Sequence, residues 1–268
     1  MADLIPSYLL KIDRAVEHLK EFKAIVTPYI DSHPYTVTHG REGRSEVHRL
    51  HFTSQIEPRA RMIAADFVYN VRSGLDHFAA ALNPPKMRTH ISFPILWEGV
   101  WEPGVPSDNE ERTKARERWN TSTREMQPGA VAILKGFQAA EGGLDDAGLI
   151  HHLVALNRLS NRDRHSQIPL MPVGLSGSVA LWQLPDGQKQ GGREKFGDWG
   201  MIEDDAEVGV PDGAMNVEIN GTPKIAIRIT APNGNVEVPA YFDNLIDYVR
   251  NYVFTPLFPF LYVPVAKN

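Results

Sequence analysis

The sequence predicts an α+β fold in which a helical bundle of four to five helices joins an antiparallel β-sheet. Apolar residues recur every three to four positions through much of residues 6–165, which is helical spacing. From residue 168 to 238, apolar and polar residues instead alternate between turn residues, which is typical of strands. A last helix is predicted over residues 239–257. A chain of 268 residues suits one large domain or two small ones, and we expect a single α+β domain over 1–268.

The elements of the first part follow from local signals. The first helix is predicted from about residue 6 to 30 by its apolar spacing. A β-hairpin is predicted in "HPYTVTHG" and "EVHRLHFTSQIEP", with Gly40 and Gly43 supplying the turn. Pro58 suits a first helical turn, so a second helix is predicted from there to about residue 82.

The middle of the chain predicts one loop and three helices. The Pro-rich "NPPKMRTHISFPILWEGVWEPGVP" indicates a long ordered loop. Mixed charges at helical spacing in "SDNEERTKARERWNTSTREM" favour a solvated helix, and a short helix is expected in "GAVAILKGFQ". A longer helix is predicted from near residue 144 to about 165, because Asp145 and Asp146 suit the positive end of a helix.

The last part predicts strands and then a helix. Three segments alternate: "IPLMPVGLSGSVALWQLPDG", "AMNVEINGTPKIAIRIT" and "GNVEVPA". Within them, "NGTP" resembles a tight hairpin turn. The amphipathic "YFDNLIDYVRNYVFTPLF" predicts the closing helix, which we expect to return to the bundle or the sheet.

Composition excludes several classes of protein. The formal net charge of −5 argues against a generally basic nucleic-acid binder, although a local basic patch is compatible with it. The chain has no cysteine, which excludes disulfides, thiolate metal sites and cysteine nucleophiles. Its N-terminus lacks the features of a secretory signal, and no run approaches the roughly 20 apolar residues that span a bilayer. We therefore expect a cytoplasmic protein without a membrane partner.

The stretch "FVYNVRSGLDHFAAAL" sets polar residues into a helix suited to burial. At about 100° per residue, one flank carries Asp66, Asn70 and His77. Arg72 and Asp76 lie on the opposite flank, four residues apart, and can pair on the helix surface. These groups are either hydrogen-bonded to neighbouring elements or reserved for a binding or catalytic site.

A second helix, "LDDAGLIHHLVALNRLSNRDRHSQ", has a similar polar stripe. Its apolar face continues into polar residues, namely Asn157, Ser160, Asn161 and Arg164. Because unpaired buried polar groups are costly, this face needs partners. We expect them on the flank of Asp66, Asn70 and His77, so that both helices share one polar site. Arg158, Arg162 and His165 form a basic turn on the outer side, which would also suit the negative end of the helix.

Gly74 lies between the apolar face of the second helix and the flank of Asn70 and His77. A glycine inside a helix costs about 1 kcal/mol relative to alanine. Its presence therefore suggests close approach by another backbone or by a ligand.

The motif "NVRSGLDH", followed by "LNRLSNRDRH", resembles an uncharacterised family of bacterial and phage proteins, common in actinobacteria. That family has a motif like N-L-R-S-x-L-D-H and a later D-K-H-like segment, and Arg164 stands here where lysine is usual. The resemblance spans most of the chain, including "SFPI" at 92–95. It brings no activity with it.

Arg72 to His77 also fits R-x-x-x-x-H, which resembles HEPN-domain ribonucleases. That resemblance implies metal-independent RNA cleavage at a dimer interface, with His in proton transfer and Arg stabilising the phosphate charge. Positions five apart on a regular helix point about 140° apart, so convergence needs a bend or a second subunit. Ser73 stands where those nucleases often have Asn, Asp or His.

Three functional hypotheses follow. A ribonuclease would use Arg72, His77 and His165 for catalysis, with RNA and a second copy of the chain as partners. A non-catalytic protein would instead bind a small polar or anionic ligand between helices. In both, the predicted binding residues are Asn70, Asp76, Asn157, Asn161 and Arg164.

The third hypothesis is a metal enzyme that uses Asp66, His77 and either His152 or His165. Metal sites on helices usually show tighter local spacing, such as H-x-x-x-H or E-x-x-H. We therefore expect neither a metal nor a cofactor.

Overall fold

The computed structural model describes residues 5–42, 45–86, 91–96, 110–138, 151–163, 168, 170–192, 206–208, 210–211, 213–228 and 235–262. Within these ranges, helices and two antiparallel sheets form the α+β fold that the sequence predicts. No helix in this part of the chain is both long and apolar enough to cross a membrane.

In the part of the chain that the structure describes, five α-helices precede the main sheet: α1 Ser7–Asp31, α2 Pro58–Ala81, α3 Glu110–Thr123, α4 Pro128–Gly136 and α5 His152–Asp163. The C-terminal helix follows the sheet and has four successive parts: α6 Ala240–Asp247, a π-helical turn Tyr248–Phe254, α7 Thr255–Leu257 and a 3₁₀ turn Phe258–Phe260. Its start agrees with the prediction, because amphipathic spacing persists from residue 240 onward.

The described strands form two sheets. The smaller sheet has the order β1–β2–β5, with β1 Tyr35–Glu42, β2 Ser45–Phe52 and β5 Ala206–Glu207. The larger has the order β4–β3–β6–β7, with β3 Leu170–Gln183, β4 Lys189–Gly192, β6 Met215–Arg228 and β7 Asn235–Val238. The larger sheet lies within the region where alternation predicted it.

The main core includes a cluster of aromatic rings where α1, α2 and the C-terminal helix meet. Phe67 stacks on Phe242 with ring centroids 4.1 Å apart, and Phe78 stacks on Phe254 at 4.2 Å. The same core includes buried residues of β6 and β7, such as Ile225. The helices and the larger sheet are therefore held by shared apolar burial, which is the main favourable term in folding.

Gly74 allows α1 to approach α2 closely. A Cβ atom there would lie 2.9 Å from Ile12 Cδ1 and 3.4 Å from the Tyr8 carbonyl oxygen. The neighbour that the glycine suggested is therefore the first helix.

Several predicted boundaries are wrong. Gly40 pairs with Val47 inside the hairpin ladder, because β1 continues to residue 42; Gly43 lies outside the described residues. "NGTP" is no turn, since β6 runs through it and Asn220 pairs with Val179 of β3. The fifth helix is described from residue 152 onward, and its predicted start near residue 144 lies outside the described ranges, so that start stays a prediction. At Gly40 and in "NGTP", pairing with a neighbouring strand outweighed the local turn signal.

Candidate functional site

Arg72 and Asp76 on α2 clamp the backbone of the segment that follows it. They form an ion pair at 3.0 Å, which confirms the pairing that their four-residue spacing predicts. Arg72 also donates to the Phe93 carbonyl oxygen at 2.9 Å, and Asp76 accepts from the Phe93 N–H at 2.8 Å. One residue of an irregular segment thus has both backbone groups satisfied by a single charged pair.

Gln138, just after α4, holds the other end of this segment. Its amide oxygen accepts from the Leu96 N–H at 2.8 Å, and its amide nitrogen donates to the Pro94 carbonyl oxygen at 3.3 Å. The side chains of residues 93–96 are buried. Because charged and amide groups satisfy its backbone while its side chains are anchored, the segment forms a fixed wall.

This wall borders a cleft of about 610 Å³ between α2, α3 and α5. Its polar lining residues are Arg72, Asp76, Ser92, Lys114, Arg118, Asn157, Ser160 and Asn161. Three of these side chains are cationic and one is anionic, so the described lining has an excess of two positive charges.

The end of α2 sets the position of α3. Buried Asn83 donates through Nδ2 to the Ala79 carbonyl oxygen at 2.9 Å and to the Ser122 carbonyl oxygen at 3.1 Å. Trp119 is buried in the core on the other face of α3. With that face anchored, Lys114 and Arg118, one turn apart, line the cleft.

The polar face of α5 forms the opposite side of the cleft. Asn157, Ser160 and Asn161 are spaced three and four residues apart and therefore lie on one helical face. Ser160 is buried, Asn157 is half-buried and Asn161 is exposed. The neighbouring Arg158 lies outside this lining, and burial lowers its pKa below the ordinary range.

The first turn of α5 is held by the C-terminal helix. The Leu153 N–H donates to His151 Nδ1 at 3.3 Å, and His151 Nε2 lies 3.2 Å from the Tyr248 hydroxyl in the π-helical turn. Tyr241 donates to the His152 carbonyl oxygen at 3.0 Å. Burial raises the pKa of Tyr248 to about 12 and also raises that of Tyr241, so both phenols are neutral at neutral pH.

A smaller cavity of about 260 Å³ continues along α3. It is lined by Ser92, Lys114, Glu117, Arg118, Thr121 and Ser122. Ser92, Lys114 and Arg118 line both cavities and mark their boundary.

Four of the eight site residues predicted from sequence line the main cleft: Arg72, Asp76, Asn157 and Asn161. Arg164 and His165, as well as the side chain of Arg162, lie outside the described residues. Their proposed roles stay predictions.

Asn70 and His77 lie elsewhere, and the prediction that they hydrogen-bond to α5 is wrong. Asn70 is buried and donates to the Asp66 carbonyl oxygen of its own helix at 2.8 Å. His77 is exposed, and its Nδ1 lies 3.0 Å from Ser7 Oγ on α1. The reason is the close approach of α1 at Gly74, which occupies this flank and leaves the opposite one to face α5.

This arrangement bears on the ribonuclease hypothesis. Arg72 lines the cleft, whereas His77 contacts α1 and is not among the cleft residues. The two side chains of one chain therefore do not converge on one phosphate, and cleavage would need a second subunit. RNA cleavage stays a prediction.

The metal hypothesis has no geometric support in the described ranges. There, no three His, Asp or Glu side chains lie close enough together to hold a metal ion. Of the residues proposed for it, Asp66 and His77 are exposed on α2, and His152 stacks on Tyr241.

Sequence reasoning missed Lys114 and Arg118. The mixed charges of α3 predicted a solvated helix, and both side chains are indeed exposed. Their four-residue spacing was the available signal, because it places two cations on one helical face.

A comparison with known proteins found no relative: no family model, no curated protein and no solved structure matches the chain.

Proposed function

We propose that this protein binds a small anionic ligand in the cleft between α2, α3 and α5. The proposal rests on one observation: the cations Lys114 and Arg118 of α3 line the same cleft as the uncharged amides of Asn157 and Asn161. The cations attract the anionic group of the ligand. The amides orient the rest of the ligand, because each amide offers both a hydrogen-bond donor and an acceptor.

The carboxylate in the cleft does not oppose this proposal. Asp76 is paired with Arg72 and accepts the Phe93 N–H, so its charge is compensated within the wall. Within the described residues, no carboxylate forms an ion pair with Arg118. The positive excess of the lining therefore comes from α3.

The size of the cleft also fits a small molecule. Ligand pockets usually measure about 300–1,000 Å³ and are largely formed before binding. The main cavity, about 610 Å³, falls in that range, and its wall is held by hydrogen bonds to Asp76, Arg72 and Gln138. A preformed site lowers the ordering cost of binding.

The test is isothermal titration of the purified protein with inorganic phosphate at low ionic strength. We expect saturable binding that Lys114→Gln and Arg118→Gln each weaken on the order of tenfold, because each removes a charge-assisted hydrogen bond. Lys135→Gln is the control: Lys135 is also exposed, but it lies on α4 and is not among the cleft residues.

Either of two results would reject the proposal. One is the absence of saturable phosphate binding by the wild-type protein. The other is equal binding by wild type and the Lys114→Gln/Arg118→Gln double variant, since the cations would then not be the site. RNA, a second copy of the chain and a cytoplasmic location stay predictions beside this proposal.

A further inference from the structure

Lys114 and Arg118 of α3 line two neighbouring cavities. The cavities of about 610 Å³ and about 260 Å³ meet at Ser92, Lys114 and Arg118, which line both. An anion held by Lys114 and Arg118 therefore has one lobe on each side of it.

Both lobes offer uncharged hydrogen-bonding groups. The larger has the amides of Asn157 and Asn161. The smaller has the hydroxyls of Thr121 and Ser122. Polar groups of this kind fix the orientation of a neutral, hydrogen-bonding part of a ligand.

The charged groups within each lobe do not favour a second anionic group there. Glu117 lines the smaller lobe, and a second anionic group there would meet like charge. In the larger lobe, the positive charge of Arg72 is already paired with Asp76. The favourable position for negative charge is thus the boundary between the lobes.

We propose that the ligand is a phosphodiester, with its phosphate between Lys114 and Arg118 and one neutral polar substituent in each lobe. This inference rests on the proposed anion-binding function. A carboxylate is attached to a ligand at one side only, and a phosphomonoester ends in a group of about −1.5 to −2 charge. A phosphodiester has one charge and a substituent on either side, as the two lobes require.

The test compares four probes by isothermal titration: glycerophosphoglycerol, glycerol 3-phosphate, inorganic phosphate and glycerol. We expect glycerophosphoglycerol to bind on the order of tenfold more tightly than glycerol 3-phosphate, because only the diester fills both lobes. Glycerol alone should not bind measurably.

Two variants test separately what the smaller lobe and the cations contribute to binding. Thr121→Val removes a hydroxyl from the smaller lobe with little change in volume, so it should weaken glycerophosphoglycerol several-fold and leave inorganic phosphate unchanged. Arg118→Gln should weaken both probes by the same factor. Thr121 is exposed on α3, so loss of fold is not expected, and melting temperatures check this.

The outcomes distinguish the two proposals. No phosphate binding overturns the proposed function. Phosphate binding with glycerophosphoglycerol no tighter than glycerol 3-phosphate overturns only the diester inference, as does a Thr121→Val variant with unchanged diester affinity. A single-stranded oligoribonucleotide that binds more tightly than glycerophosphoglycerol would support an internal phosphate and assign it to a nucleic-acid strand.

Discussion

The two sides of helix α2 differ sharply in what they contact. One side stacks two fully buried rings, Phe67 and Phe78, on the C-terminal helix and meets Tyr8 of α1 edge-on. The other presents Arg72 and Asp76 to a polar cleft. Only a few residues along one helix separate a dry core from a candidate ligand site.

This difference shows how a polar site can be held in a fixed geometry. The aromatic contacts anchor α2, so Arg72 and Asp76 project from a rigid element and can satisfy both backbone groups of Phe93. Sites on helices and strands are held more precisely than sites on loops. The buried side of α2 holds the helix in place, and the polar side carries the side chains that line the cleft.

The largest effect is expected from a substitution in the aromatic core on the buried side of α2. Phe78→Ala should lower the free energy of unfolding by about 3–5 kcal/mol, because it removes a ring that stacks on Phe254 and meets the edge of Tyr8. Urea denaturation measures the change. Arg118→Gln, on α3 across the cleft, should change the free energy of unfolding by no more than about 0.5 kcal/mol. A similar loss in both variants would remove the distinction between the buried core and the cleft.

A smaller effect is expected on the cleft side of α2. Asp76→Ala should cost about 1–3 kcal/mol, because the Phe93 N–H loses its acceptor and Arg72 loses its ion-pair partner. A double-mutant cycle with Arg72→Ala, followed by urea denaturation, should give a coupling energy of about 0.5–3 kcal/mol. Additive losses would show that the two side chains do not act as one clamp.

The smallest effect compares one substitution at two glycines. Gly74→Ala gains up to about 1 kcal/mol of helix propensity but forces a Cβ against Ile12, and overpacking costs about 1–3 kcal/mol. Gly136→Ala meets nothing within 4 Å and should be neutral or stabilising. Thermal unfolding of both variants should rank Gly136→Ala above Gly74→Ala. The reverse order would show that α1 and α2 are not tightly packed at this point.

The sequence alone determined those features that depend on neighbours along the chain. Helical and alternating periodicities predicted the α+β fold class, because burial of one face imposes each period. The Arg72–Asp76 pair followed from four-residue spacing on a helix, which is local geometry. Gly74 indicated a close approach, because a missing side chain inside a helix has a local cost.

Only the tertiary structure decided which partner each surface meets. Asn70 and His77 were expected to face α5, but α1 occupies that flank, and Asn70 bonds within its own helix. Lys114 and Arg118 become cleft residues only because Asn83 and Trp119 position α3. Docking between helices reflects packing free energy summed over many distant residues. No local pattern near residue 118 contains that sum, so the contribution of α3 to the cleft was not predicted from the sequence.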